Sequence, residues 1–186
     1  MAYSGEFETG WGKGELLCGR GSLEKFAKPS REKLRHWLSV TEAKSILEIG
    51  CGDLVWHGKI LPKVDYHGVD LHERETWKAR REQGAKLAVA DGISTDLPKA
   101  DLIVARDVFI HLSNDYIARI LENLKGKGTW LFASHDPNAK ATREGRGPAT
   151  FNKHGYGVNL NADPFYLEYH EEQDPPKGKG MCLFKL

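Results

Sequence analysis

Short apolar runs alternate with stretches of helical period along most of the chain. Ser45-Ile46-Leu47-Glu48-Ile49 is the first clear run, the length of a strand buried on both faces and closed by a glycine. Similar runs at 65–69, 86–89, 102–105 and 129–134 predict four more strands. Between them, 73–83 reads as a helix that Gly84 stops. The clearest helix is 115–124, where Ile117, Ile120, Leu121 and Leu124 share one face, Asn114 is placed to cap the start and Lys125-Gly126 to close the end. Ahead of the first strand, Leu34, Trp37 and Leu38 recur at helical spacing. Ser22 is placed to cap a first helical piece that Pro29 interrupts, and Ser30 a second. A short helical piece ended by Pro62 is expected at about 54–61, and the apolar runs Phe165 to Tyr169 and Met181 to Leu186 are expected to form a terminal antiparallel pair.

Strands that alternate with helices predict an α/β sheet with helices on both faces. Residues 1–21 are rich in glycine and polar side chains without a sustained period, so they are expected to form an arm or lid, part of it docked through Trp11, Leu16 and Leu17. Residues 22–186 are expected to be a single domain, and a chain of 186 residues buries about 70% of its unfolded surface on folding.

Composition narrows the setting. With 40% hydrophobic and 28% charged residues, no apolar run approaches the roughly 20 residues that span a bilayer, and Met1 to Glu6 has neither a basic nor an apolar stretch. A cytoplasmic, membrane-free location is expected. Cys18, Cys51 and Cys182 are odd in number and far apart, which suggests neither a disulfide framework nor a zinc site, and no metal is expected. A net charge of +1 supplies no field to draw in nucleic acid. The local basic group Lys140, Arg143, Arg146, Lys153 and His154 reads first as a solvated loop and second as a phosphate-binding surface.

The candidate chemistry sits at the strand ends. Gly50 and Gly52 follow the first strand and leave no side chain in a ligand's way. A dinucleotide turn normally carries a third glycine at the position of Val55, so the pattern favours a nucleoside without a pyrophosphate, S-adenosylmethionine being the obvious candidate. Asp70 closes the second strand 18 residues after Gly52, near the offset at which an acid accepts from ribose hydroxyls. Asp91-Gly92 and Arg106-Asp107 follow the third and fourth strands, at the edge where open α/β sheets bind ligands. Any one of these acids alone is as readily a helix cap.

With these residues in place, the chain from about residue 19 onward resembles the class I S-adenosylmethionine-dependent methyltransferases. Glu48 to Gly52 is similar to their first motif, Asp70 to the second-strand acid, Val89-Ala90-Asp91-Gly92 to the adenine-contacting segment, and Asp101 to Ser113 to the fourth motif. Small stand-alone members are closer still. Their Gly-x-Gly-Ser, Gly-Cys-Gly-Asp and Arg-Asp-containing stretches resemble Gly19 to Ser22, Gly50 to Asp53 and Arg106 to Leu112, and their later segment resembles Gly155-Tyr156, Asn159-Leu160 and Pro164-Phe165. Asn161-Ala162-Asp163 departs from the apolar or proline residues common there.

The resemblance implies a Rossmann-like, open, mostly parallel seven-stranded sheet with an antiparallel C-terminal strand. It implies cofactor contacts from Gly50 and Gly52 along the methionine moiety, with Glu48 and Cys51 of the same motif, Asp70 on the ribose, Leu71 beside the adenine, Asp91 on the adenine amino group with Gly92 of the same segment, and Ile93 against the ring. Leu71 and Ile93 are equally readable as core packing. Arg106 lies where the family uses a backbone carbonyl, its side chain facing the acceptor or a structural ion pair, and Arg20 is a candidate for the cofactor carboxylate.

Methyl transfer from a sulfonium is an in-line displacement in which positioning alone supplies about 7–11 kcal/mol. A general base adds about 10²- to 10⁴-fold when the acceptor is a hydroxyl or protonated amine. Asp107 and His135 follow adjacent strands and are the expected catalytic pair; Asp136 and His111 are further candidates, with turn formation and helix packing as their structural alternatives. His111, Tyr156 and Asn159 are the expected acceptor contacts. The stretch after the fourth strand lacks the Asn/Asp-Pro-Pro-aromatic pattern of exocyclic amino methylation of DNA, and no Pro-Cys pair is present. A hydroxyl or amino group of a small-molecule or carbohydrate-like acceptor is therefore the leading reading, with a protein side chain still open. A non-catalytic module that binds S-adenosylmethionine and an NAD-dependent oxidoreductase are the alternatives. No residue pattern bears on oligomeric state.

Overall fold

The computed structural model describes residues 20–57, 63–139, 157–174 and 176–186. After a single turn of 3-10 helix at Arg20–Ser22, the described elements run α1 (Glu24–Val40), β1 (Ser45–Ile49), β2 (Asp65–Asp70), α2 (Trp77–Glu82), β3 (Lys86–Val89), β4 (Leu102–Ala105), α3 (Asn114–Leu124), β5 (Trp130–His135) and β6 (Gly180–Lys185). They form one sheet in the order β3-β2-β1-β4-β5-β6, parallel except for β6, which runs antiparallel to β5. The strand order reverses beside β1, so the carboxyl end of β1 opens onto the crevice where such sheets take ligands. The register brings the tips into line: Ile49 stands beside Val69, Asp70 beside Val89, and Ala105 beside Ala133.

Successive side chains of each strand go to opposite layers. Leu47, Ile49, Ile103, Ala105, Leu131 and Ala133 pack against Ile117, Ile120, Leu121 and Leu124 of α3. Ile46, Leu102, Val104, Phe132 and Leu183 pack against Ala27, Leu34 and Trp37 of α1 and Trp77 of α2. Helices thus cover both faces. No helix among the described residues is long and apolar enough to cross a membrane.

Several sequence expectations shift. The described residues form six strands rather than seven. The run Phe165 to Tyr169 contributes only an isolated bridge from Tyr169 to Phe184, because the preceding residues are taken up in a turn in which the Phe165 and Tyr166 amides both donate to the Ala162 carbonyl. α1 runs unbroken through Pro29. The proline removes one backbone donor, but Ala27, Arg31, Leu34 and Trp37 bury one continuous face on either side of it. Leu23 rather than Ser22 precedes that helix, and Ser113 rather than Asn114 caps α3, its Oγ accepting from the Tyr116 amide at 3.4 Å. The helix expected at 73–83 narrows to Trp77–Glu82. Residues 52–57 form turns in place of the expected helical piece, whose remainder lies outside the described residues.

Candidate functional site

Past Ile49 the chain turns over the end of its own strand through Gly50 (φ 69°) and Gly52 (φ 57°). A side chain in this left-handed region costs about 1–2 kcal/mol. At Gly50 there is also no room for one, since a Cβ would lie 2.5 Å from Cγ2 of Val108. The amides of Gly50 and Cys51 donate to the Val69 carbonyl at 2.8 and 3.1 Å, and Trp77 Nε1 donates to the Gly52 carbonyl at 2.7 Å. The turn is therefore held from β2 and from α2. Cys51 sends its side chain into the core, leaving only its backbone to a ligand. Val55 is 42% exposed, and the described residues just after it form a turn.

Asp70 Oδ2 accepts from the Gly52 amide at 2.9 Å and Oδ1 from the His72 amide at 3.2 Å, with Arg74 Nη2 at 3.7 Å from Oδ1. The acid and the glycine turn expected to cooperate are thus directly bonded. A carboxylate offers about four lone-pair sites, so capacity remains for further donors. Asp91 shapes its own loop, accepting from the Ile93 amide at 2.9 Å and Ser94 Oγ at 3.1 Å. Asn123 of α3 pins the same loop through the Gly92 and Thr95 carbonyls at 2.8 and 2.9 Å. Ile93 packs at the edge of the α3-side core, while Leu71 and Val89 leave apolar surface open around the Asp70 tip.

At the tip of β4, Asp107 has φ 54°. Strained backbone of this kind clusters at functional sites, and Asp and Asn tolerate it better than most residues. Ser134 of β5 secures it reciprocally: the Asp107 amide donates to Ser134 Oγ at 2.8 Å, and that hydroxyl donates to Asp107 Oδ1 at 2.9 Å. Arg106 Nη2 lies 3.4 Å from Asp107 Oδ2, and Lys179 Nζ lies 4.0 Å from Oδ1. The Asp107 side chain keeps 30% of its surface open. Arg106 is nearly buried, donates from Nη2 to the Gly21 carbonyl at 2.7 Å and lies over the Trp56 ring at 5.1 Å from its centroid. Of the two readings for its side chain, the structure shows the ion pair.

Glu48 takes a different place from the one expected. It shares the α1 and α2 side of the sheet with Ile46, 1% exposed, and its carboxylate accepts from Trp56 Nε1 at 3.0 Å and from the Tyr66 hydroxyl at 2.5 Å while also bonding His57 Nε2. Burial, reinforced by the Glu48 charge, pushes the Tyr66 hydroxyl well above its ordinary pKa and keeps it a donor. Glu48 is thus enclosed in the core by Trp56, His57 and Tyr66. The sequence offered one signal for this network, a carboxylate inside an apolar strand, which demands buried partners. Trp56, His57, Tyr66 and Ser134 were not expected at the site, because nothing in their spacing marks them.

His135 does not present a free base. It is 1% exposed; Nδ1 accepts from the Leu160 amide at 3.2 Å, and Nε2 pairs with the Tyr169 hydroxyl at 2.6 Å. Burial lowers its pKa to about 4. A neutral ring with both nitrogens engaged fastens the 157–169 segment to β5, in place of the unencumbered base that the sequence led us to expect. Asn159 is likewise occupied, donating to the Pro137 carbonyl at 2.9 Å and accepting from the Asn161 amide at 3.1 Å. His111 ends a half-buried 3-10 turn after β4. Tyr156, the side chain of Arg20 and the basic group from Lys140 to His154 lie outside the described residues.

No family model matches the sequence, and no curated protein matches it. Solved structures do. A S-adenosylmethionine-dependent methyltransferase from Clostridium acetobutylicum superposes with TM-score 0.64 at 13% identity over 89% of this chain and 95% of its own. Magnesium protoporphyrin IX methyltransferase from Synechocystis, solved with S-adenosylhomocysteine (SAH) bound, gives 0.62 at 14% identity over 94% and 90%. The methyltransferase domain of a bacterial Hen1 gives 0.56 at 13% identity over 84% and 97%. With its sheet order, its glycine turn and these superpositions together, the chain has the fold of the class I methyltransferases.

Proposed function

We propose that this chain is an S-adenosylmethionine-dependent methyltransferase acting on a hydroxyl or amino group of a small-molecule or carbohydrate-like acceptor. The observation that carries the reading is the side-chain-free turn at Gly50, bonded through Gly52 to Asp70 at the point where the strand order reverses. These residues fit the nucleoside. The backbone of Gly50, Cys51 and Gly52 suits an extended amino-acid chain, Asp70 has lone pairs to spare for ribose hydroxyls, and Leu71 and Val89 offer exposed apolar surface for a base. Asp91, Gly92 and Ile93 would border that base from the β3 loop, and Arg20 and the Arg106 carbonyl would face the amino-acid end. Structural neighbours solved with SAH bound support the same cofactor.

When bound, the cofactor supplies a methyl group on a sulfonium, a leaving group that needs no further activation. The protein's part is to align the acceptor, exclude water and receive a proton. Asp107 suits the role of proton acceptor, being partly exposed and aimed by Ser134 in a backbone conformation that surrounding contacts must hold. His111 and Tyr156 stay candidates for acceptor contact, whereas Asn159 acts through the loop it ties down.

Methyl-labelled cofactor incubated with hydroxyl- and amine-bearing acceptors tests the proposal. Asp107→Asn, which keeps a residue suited to positive φ, is expected to lower kcat by roughly 10²- to 10⁴-fold with SAH affinity unchanged within about twofold. Full activity in that variant would remove Asp107 as the base, and cofactor binding without transfer to any such acceptor would overturn the enzymatic reading.

A further inference from the structure

The Arg106 guanidinium presents an unexplained donor beside the glycine turn. The side chain is 7% exposed, yet its Nε is buried with no hydrogen-bond partner. Leaving a charged donor unpaired in the interior is unfavourable by more than an ordinary hydrogen bond is worth, so the position calls for an acceptor that the described residues do not provide. Nε and Nη2 share the edge with which arginine grips a carboxylate through two parallel bonds. Nη2 already reaches the Gly21 carbonyl at 2.7 Å, the plane rests on Trp56, and Trp56 is itself held by Glu48. The guanidinium is therefore fixed in place before any ligand arrives. Trp56 lies four residues past Gly52, and Val108, which closes against Gly50, lies two residues past Arg106. Arg106 thus follows the tip of β4, on the side of β1 away from β2, which Leu71 follows, and β3, which ends at Val89.

We infer that the Arg106 side chain is the receptor for the carboxylate of the cofactor's amino-acid moiety. This rests on the cofactor reading above and adds to it a role for the side chain, which was expected to face the acceptor or to form a structural ion pair. Asp107 Oδ2 lies 3.4 Å from Arg106 Nη2, so Arg106 would bridge the cofactor's charged end and the residue proposed as proton acceptor. Glu48, through Trp56, is a positioning residue for that bridge.

Calorimetric titration with two ligands separates this role from a structural one. SAH carries the carboxylate; 5′-methylthioadenosine has the same nucleoside and lacks the amino-acid group. Arg106→Gln is expected to weaken SAH binding by roughly 10- to 100-fold and to leave methylthioadenosine within about twofold, the size appropriate to a lost charged hydrogen-bond pair. Asp70→Ala, by contrast, is expected to weaken both ligands. Equal losses for both ligands in Arg106→Gln, or no loss for either, would overturn the assignment. Because that variant removes a buried contact, a second measurement changes only the ligand. Wild-type protein is expected to bind the carboxamide of SAH at least tenfold more weakly than the carboxylate, and equal affinity would also overturn the inference. Failure of wild-type protein to bind either nucleoside would refute the cofactor reading and this assignment together, a result distinct from the other two.

Discussion

Gly50 carries the clearest constraint on any single residue. Its positive φ and the proximity of Val108 act independently, the first through backbone strain and the second through contact. Gly50→Ala is expected to destabilise the protein by about 2 kcal/mol or more in denaturant unfolding, and adding Val108→Ala is expected to restore only part of this, because the strain term of about 1–2 kcal/mol stays. Complete restoration would show that the strain is negligible. Residues of this kind were legible: glycines after an apolar strand and an acid at the next strand's end declare a turn and a partner. Glu48 was only half legible. Its position inside a strand was evident, but the face it occupies depends on which neighbours pack there, and a residue one place along goes to the opposite layer. The strain at Asp107 and its bond to Ser134, 27 residues away in sequence, leave no trace in local spacing.

Among the elements, strands and their order were the most readable, because Leu102 to Ala105 and its counterparts are apolar on both faces and alternate with helices. Element ends were less so. Capping is decided by which hydroxyl reaches an amide, and at α3 the Oγ of Ser113 does so one residue before the asparagine expected to. At the junction of β5 with the 157–169 segment, His135 gives a pH-dependent element. Its folded pKa of about 4 lies below the ordinary 6.5, so the unfolded chain takes up a proton in a range where the folded one does not. The stabilisation is fully present above pH 6.5 and declines as pH falls towards 4, amounting to about 3 kcal/mol over that interval. Urea unfolding between pH 7 and 4 is expected to show that decline in wild type and a shallower one in His135→Gln, whose amide is the closer mimic of a neutral ring. An unchanged slope would remove His135 as the source.

At the scale of the whole molecule, one sheet sets the Gly50 turn, Asp70, the Asp91 loop and Asp107 along a single edge, while α1 with α2 and α3 seal its two faces. Under the proposed function that edge is a nucleoside-binding crevice with an acceptor side at Asp107. A pyrophosphate cofactor fits it poorly, since Val55 stands where a dinucleotide turn carries its third glycine. Structural similarity at 13–14% identity establishes the shared fold, and the acceptor must be found by assay. The most direct measurement is calorimetric titration of the purified chain with S-adenosylmethionine, for wild type and Asp70→Ala side by side. Micromolar binding that falls by roughly 10- to 100-fold in the variant is the predicted result, as expected for losing charged hydrogen bonds to the ribose. No binding to the wild type, or the same affinity in both proteins, would contradict the account.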